Sequence, residues 1–318
     1  GLGVTTADVA LVTNVAADHL GEYGINTVAE LRDAKFIVRK GLAPGKPLVL
    51  NADDDGVVAY ARALAEQAII WFSEQIEHPV IKAHVADGGT ACVASDGDIV
   101  RLDADGQHRI VALEDIPVTL GGAARHNVQN ALAAAALCHE LGCSDADIAE
   151  GLRTFSGGPD ANPGRGNLFE GKGVRAIVDF AHNEHGLTSM AATIARMPAK
   201  RRLVLLGQAG DRSDALIEGL THAALAANPD QLVICKLPGY ERGRDPDDVS
   251  ALIERVARDA GMASSAIYHA DSPIDGTRFA LEWAQKDDVL LILALTQRGP
   301  CTQLVQRALL ADASVTEE

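Results

Sequence analysis

No apolar run in this sequence approaches the ~20 residues that a bilayer-spanning helix needs, and its first residues lack a basic stretch followed by an apolar one. Neither a membrane span nor a secretory leader is expected. Positive charge is scarce as well, with 28 Lys and Arg against 44 Asp and Glu and a formal net charge of -16. Nucleic acid and anionic membranes select for clustered Lys and Arg, so this balance argues against both as partners. The five cysteines (Cys92, Cys138, Cys143, Cys235, Cys301) are scattered, odd in number and without a Cys-x-x-Cys spacing. They read as reduced structural thiols of a cytoplasmic protein. A Gly-x-Ser-x-Gly elbow is missing, which leaves a hydrolase unsupported. "GLGV" at the start lacks the third glycine and a preceding strand, which disfavours a nicotinamide-dependent dehydrogenase. "GLAPGKP" imitates a phosphate loop, but its glycine spacing is one residue short and Pro47 stands where Ser or Thr would hold magnesium, so it reads as a helix-to-strand turn.

What is present is a well-buried globular chain, 47% hydrophobic and 23% charged. At 318 residues it exceeds the usual span of one hydrophobic core, which makes two domains the expectation. "ADVALVTNV" is a strand-type run, "TVAELRDAKFIVRKGL" has helical spacing and ends near Gly41, and "KPLVLNAD", a helix near "GVVAYARALAEQ" and "AIIWFS" follow. This is the βαβ rhythm of a parallel sheet. From about residue 80 to 118 the turn signals "ADGG", "SDGD" and "DADG" predict β-hairpins. "RHNVQNALAAAALCHELG" predicts a helix stopped at Gly142, and Ser144 is an N-cap candidate for the next. "SGGPDANPGRGN", residues 156–167, reads as a linker, after which "VRAIVDF", "RRLVLLG", "QLVICKL", "SAIYH" and "DVLLILAL" predict the strands of a second, doubly wound sheet. Ligands bind such sheets at the carboxyl ends of the strands. Those ends here read "TNVAADH", "LNADDD", "DFAHNEHG", "LGQAGDRSD" and "LALTQRG", all rich in groups capable of chemistry.

In order, "TNVAADHLGEYG", Ala34-Lys35, "LVLNADD", "HNVQNALAA", "PGRGN", "VDFAHN" and "GDR" resemble the motifs of the Mur ligase family over nearly the whole chain. Its members are ATP-dependent ligases that join a carboxylate to an amino acid's amine through an acyl phosphate. The resemblance implies an α/β fold: a partial central ATPase domain over residues 1–158, mostly parallel with β-hairpins, then a C-terminal Rossmann-like domain over residues 159–318. It also implies ATP and Mg2+ as cofactors, and a carboxylate acceptor and an amino acid as substrates.

Residue by residue, the resemblance makes His19 a magnesium ligand, with Asp18 and Glu22 beside it, against the alternative of a solvated loop histidine. Lys35 takes the position where some members carry a carbamylated lysine, an anionic oxygen ligand suited to a hard cation; the alternative is a surface-helix lysine. Asn130 would read the adenine, with Asn127 one turn earlier on the same face, unless the pair only caps its helix. Arg165 would reach nucleotide phosphates from the linker, Asp179 the ribose and His182 the phosphate side, although Glu184 stands where proline usually follows "HN". Asp211 and Arg212 would lie near the incoming amino acid, Arg212 pairing with its carboxylate, or else form a structural pair. "HNEH" read as a metal pair needs a third ligand. The family's Gly-x-x-x-x-Gly-Lys-Thr loop and first magnesium carboxylate belong upstream of "GLGVTTADVALVTN", so the chain corresponds to the C-terminal two-thirds of such an enzyme. By that resemblance it is a fragment, a half completed by an upstream polypeptide or homo-oligomer, or a non-catalytic nucleotide- or peptide-binding scaffold.

Overall fold

Runs such as "LVLN" at residues 48–51 and "VLLIL" at residues 289–293 have no polar face, so strands made from them must be covered on both sides, as in a parallel sheet between helices. The computed structural model describes residue 3 and residues 6–17, 20, 23–64 and 66–310. It builds two such sheets in two compact units, Gly1–Ser156 and Gly157–Glu318.

The sheet of the first unit contains β1 (Ala10–Val12), β2 (Leu48–Asn51), β3 (Ile69–Ser73), β4 (Ala91–Ser95), β5 (Asp98–Asp103) and β6 (Gly106–Ala112), in that spatial order. β1 to β4 are parallel, and β5 and β6 return antiparallel. Helix α1 (Val28–Lys35) opens on a capping box between Thr27 and Glu30. The helix expected to run to Gly41 tightens at Phe36 into a 3-10 turn, Phe36–Gly41, which buries the Phe36 ring 4.2 Å from that of Tyr60. Helix α2 (Asp55–Ala61) is capped by Asp54, whose second carboxylate oxygen accepts from Val15 N at 2.8 Å and so ties β1's exit to β2's.

The hairpins expected from residue 80 begin only at Ala91. Pro79–Ala86 is a helix, α3, because Pro79 suits a first helical position, His78 Nδ1 accepts from Val80 N, and Ile81 is driven into the core. Helix α4 (Arg125–Glu140) lies on the sheet through Val128, Ala131, Leu132, Ala135 and Ala136, of which the three alanines permit a close approach. Helix α5 (Asp145–Thr154) starts at Ser144, which forms a capping box with Asp147.

The second unit adds β7 (Asn167–Gly171), β8 (Val174–Asp179), β9 (Arg202–Leu206), β10 (Gln231–Cys235), β11 (Ile267–Ala270) and β12 (Val289–Leu293), in the spatial order β11-β10-β9-β12-β8-β7. All pairings are parallel except β7 with β8. β7 starts inside the stretch read from sequence as linker, since it is a short edge strand with little apolar signal of its own. Helices α6 (Glu184–Arg196), α7 (Asp214–Leu225) and α8 (Asp248–Asp259) pack in sequence, and α9 (Pro273–Trp283) packs with α10 (Arg298–Leu310). Val178, Leu205, Val233 and Ile292 share one core with residues of α9 and α10, and the alternate strand residues face the other way, so helices cover both faces. The chain leaves β9 towards β10 but leaves β12 towards α10 beside β8, which places the topological switch at the β9–β12 carboxyl ends.

Burial holds His84 on α3 and His139 on α4 below the ordinary histidine value of 6.5. A histidine depressed in the folded state lets the unfolded chain take the proton first, so its contribution is intact above 6.5 and is lost as pH falls through 6.5 towards the lower folded value. Replacing both with Gln should flatten the acid limb of a plot of denaturant midpoint against pH; an unchanged limb would contradict this assignment.

Candidate functional site

In the first unit, two carboxylates at strand ends organise the surroundings. Asp53, just beyond β2, accepts from Ser73 Oγ at 2.6 Å and from Glu74 N at 2.8 Å. Glu74, just beyond β3, accepts from Arg125 Nε at 2.6 Å and Gln129 Nε2 at 2.9 Å, so the end of β3 holds the first turns of α4. That carboxylate also keeps the Arg125 guanidinium above its ordinary range. Asn127 donates its Nδ2 to Val118 O at 2.8 Å, and its Oδ1 accepts from Asn130 Nδ2 at 3.3 Å. Neither asparagine caps α4, whose N-cap residue is Ala124. Asn130 is exposed and held through its nitrogen, which leaves its carbonyl and second N–H for another group. Lys35 is the exposed last residue of α1. Asp18, His19 and Glu22 lie outside the described residues.

In the second unit, Asp179 ends β8 with only 9% of its surface exposed. One carboxylate oxygen accepts from Ala181 N and the other from Gly166 N, each at 2.7 Å. The side chain thereby pins the Gly164-Arg165-Gly166 loop to the strand end. Phe180 follows, and guanidinium groups sit against its ring: Arg298 at 4.7 Å and Arg165 at 5.4 Å from the centroid. The His182 ring lies 5.1 Å from that of Phe180, with Nδ1 3.1 Å from Phe180 O, and its own carbonyl accepts from Gln208 Nε2 at 2.9 Å. Asn183 caps α6 by accepting from Gly186 N at 2.8 Å. Glu184 falls in the first turn, where a negative charge suits the helix dipole, so its replacement of proline is compatible with a regular helix start.

The loop after β9 holds the remaining pair. Asp211 forms an ion pair with Arg242 from the loop after β10, and not with Arg212. Arg244 donates to Gly210 O at 2.8 Å and Arg212 O at 2.7 Å, locking the two loops together. The half-buried Arg212 side chain has no hydrogen bond or ion pair with another described residue. Beside these loops is a small cleft of about 60 Å³ lined by Gln208, Lys236, Tyr240, Glu241, Asp245 and Ser250 among others. Among the described residues no group of three or more His, Cys, Asp or Glu is placed to hold a metal ion, so the His182–His185 spacing finds no third ligand there.

Two contributors take their roles only from the fold, although Arg298 lies in the strand end "LALTQRG". Glu74 follows an apolar strand without any motif, and Arg298 meets Phe180 across a long stretch of chain. Arg298 also explains a motif glycine. Gly164 has φ +66, and a Cβ there would lie 2.0 Å from Arg298 Cδ. Gly164→Ala should therefore lower stability by about 1–3 kcal/mol, through overpacking and a disfavoured backbone angle. Adding Arg298→Ala should recover the overpacking share in chemical denaturation, whereas full additivity of the two losses would contradict the contact.

Comparison with known proteins agrees with this architecture. The family described as Mur ligase middle domain matches residues 2–138, and that described as Mur ligase, glutamate ligase domain matches residues 164–294. Cyanophycin synthetase of Trichormus variabilis is 36% identical over 255 residues, covering 80% of this chain and 28% of that protein. UDP-N-acetylmuramate–L-alanine ligase of Agrobacterium fabrum is 28% identical over 242 residues, covering 76% of this chain and 48% of that protein. This chain thus spans less than half the length of these curated relatives. Among solved structures, MurF from Acinetobacter baumannii superposes with a TM-score of 0.65 at 18% identity, covering 94% of this chain and 60% of that one. FolC from E. coli, in complex with DHPP and ADP, gives a TM-score of 0.65 at 20% identity over 94% of this chain and 61% of that one. With both domains matched in order and the same fold in these structures, the chain belongs to the Mur ligase family, of which it carries the middle and glutamate ligase domains.

Proposed function

We propose that this chain supplies the middle and C-terminal parts of an ATP-dependent ligase that joins a carboxylic acid to the amine of an amino acid. The observation that carries the reading is the pair of guanidinium groups, Arg165 and Arg298, gathered on Phe180 at the end of β8 in a chain of net charge -16. Cations concentrated at one strand end of an acidic protein suit a polyanion such as a nucleoside triphosphate. The ADP-bound relatives, FolC from E. coli and MurF from Thermotoga maritima, support a nucleotide as that ligand.

ATP would activate the acid as an acyl phosphate, which the amine then attacks. Charge on the phosphoryl group in flight must be met by fixed cations. Arg165 and Arg298 would meet it, with Arg298 also positioning its partner through Gly164 and Phe180. Asn130 would read the base with its remaining carbonyl and N–H, while Asn127 orients it. Asp179 would act on the ribose through its remaining lone pairs, since its two oxygens already hold backbone amides. With Nδ1–H donated to Phe180 O, His182 presents Nε2 as an acceptor when neutral and as a donor only when protonated. Arg212 would take the amino acid's carboxylate, Asp211 being engaged by Arg242.

A magnesium ion that takes most of its ligands from phosphate oxygens and water needs only one or two from the protein. Lys35, exposed and open to carbamylation, and His19 are the residues proposed to hold it. When bound, the ion would neutralise phosphate charge.

The test is phosphate release by the protein that carries this chain, with each component omitted in turn. Release should require the acid and the amino acid together, and Arg212→Ala should raise the KM for the amino acid about tenfold, ~1.4 kcal/mol, with the KM for ATP little changed. Release that persists without the amine would overturn the reading.

A further inference from the structure

Helix α4 ends in an arrangement that brings two thiols together. Cys143 N donates to Cys138 O at 3.0 Å and Gly142 N to His139 O at 2.9 Å, with Gly142 at φ +88. These are the paired hydrogen bonds of a Schellman closure, in which the side chain three places before the helix end meets the one just beyond the glycine. The contact is ordinarily apolar. Here both residues are cysteines, and their side chains are within hydrogen-bonding reach of one another. Cys143 is exposed and Cys138 partly so, whereas Cys92, Cys235 and Cys301 are buried. Burial pushes the Cys92 and Cys235 thiols up to about 12 and raises Cys301 as well; burial and the neighbouring Cys143 also raise Cys138, which leaves the exposed Cys143 as the thiol that meets an oxidant first.

We infer that Cys138 and Cys143 form an oxidisable dithiol, a modification site for small-molecule disulfides that closes as an intramolecular disulfide across the end of α4. In the first step the exposed Cys143 thiolate attacks one sulfur of the small disulfide, whose S–S bond breaks and whose other half leaves as a thiol. In the second step Cys138, after giving up its proton, attacks Cys143 Sγ and displaces the remaining small thiol. Two S–H bonds are lost and one S–S bond forms in the protein, while the oxidant's S–S bond becomes two thiols. The second step is fast because the Schellman hydrogen bonds already hold the sulfurs together, which replaces an encounter by an intramolecular reaction. Beside the pair, Asp145 is held by Arg101 at 3.1 Å and Asp147 closes the capping box with Ser144. Closure would fasten α4 to the Ser144 cap of α5, at the opposite end of the helix from Asn127 and Asn130.

The test uses the folded, reduced chain treated with cystamine, quenched in acid and digested with trypsin, which releases residues 126–153 as one peptide. That peptide should lose two hydrogens in mass and carry no adduct. Cys138→Ser should instead leave a stable cysteamine adduct on Cys143, and Cys143→Ser should slow reaction at Cys138 at least tenfold. A lasting adduct on Cys143 in the unsubstituted chain, with Cys138 still open to alkylation, would overturn the inference. So would reaction at either cysteine no faster than at Cys92, Cys235 and Cys301.

Discussion

A strand buried on both faces can present polar groups only where it ends, and this constraint organises both units. β2, β9, β10 and β12 are apolar through almost every residue because helices or neighbouring strands cover them. Asn51, Asp53, Glu74, Asp179 and Gln208 therefore fall at or just past strand ends. The same burial that stabilises the sheets, roughly 25 cal/mol per Å² of apolar surface, makes those ends rigid enough to fix side chains within hydrogen-bonding tolerance.

The strand-end carboxylates serve the loops first. Asp53, Asp54 and Asp179 accept from backbone amides, and Glu74 accepts from α4 side chains. Charge of the abundant sign is thereby consumed in positioning loops and helix starts. Among the groups left outward are the Asn130 carboxamide in the first unit and, in the second, the Arg165 and Arg298 guanidinium groups on Phe180 and the Arg212 side chain. In the second unit an acidic protein thereby gathers two guanidinium groups on one ring while the adjacent Asp179 carboxylate is held by backbone amides.

Local signals carried most of the architecture. The apolar runs marked β8 to β12, and the Ala-rich stretch with Gly142 marked α4 almost to the residue. The misses come from context. "PVIKAHVA" reads as alternation, yet Pro79 and the buried Ile81 make it helical. β7 exists because β8 offers it an edge. Asn127 and Asn130 in the first unit and Arg165 and Asp179 in the second stand out by motif, but their hydrogen bonds do not: Asn127 is committed to Val118 O, and Asp179 to two amides. Arg298 and Glu74 required the fold, because each acts on a residue far away in sequence. The Cys138–Cys143 pair is hidden by its spacing, which belongs to a helix cap and not to a redox motif.

If Asn130 on α4 and Arg165 ahead of β7 bind ATP, replacing either must weaken that binding. Equilibrium titration of ATP with magnesium into the protein that carries this chain tests it most directly, comparing the unsubstituted protein with Asn130→Ala, Arg165→Ala and, as a surface control on α8, Arg255→Ala. The first two should weaken binding about tenfold or more, ~1.4 kcal/mol each, and the control should bind as the unsubstituted protein does. Equal affinity in all four would contradict it.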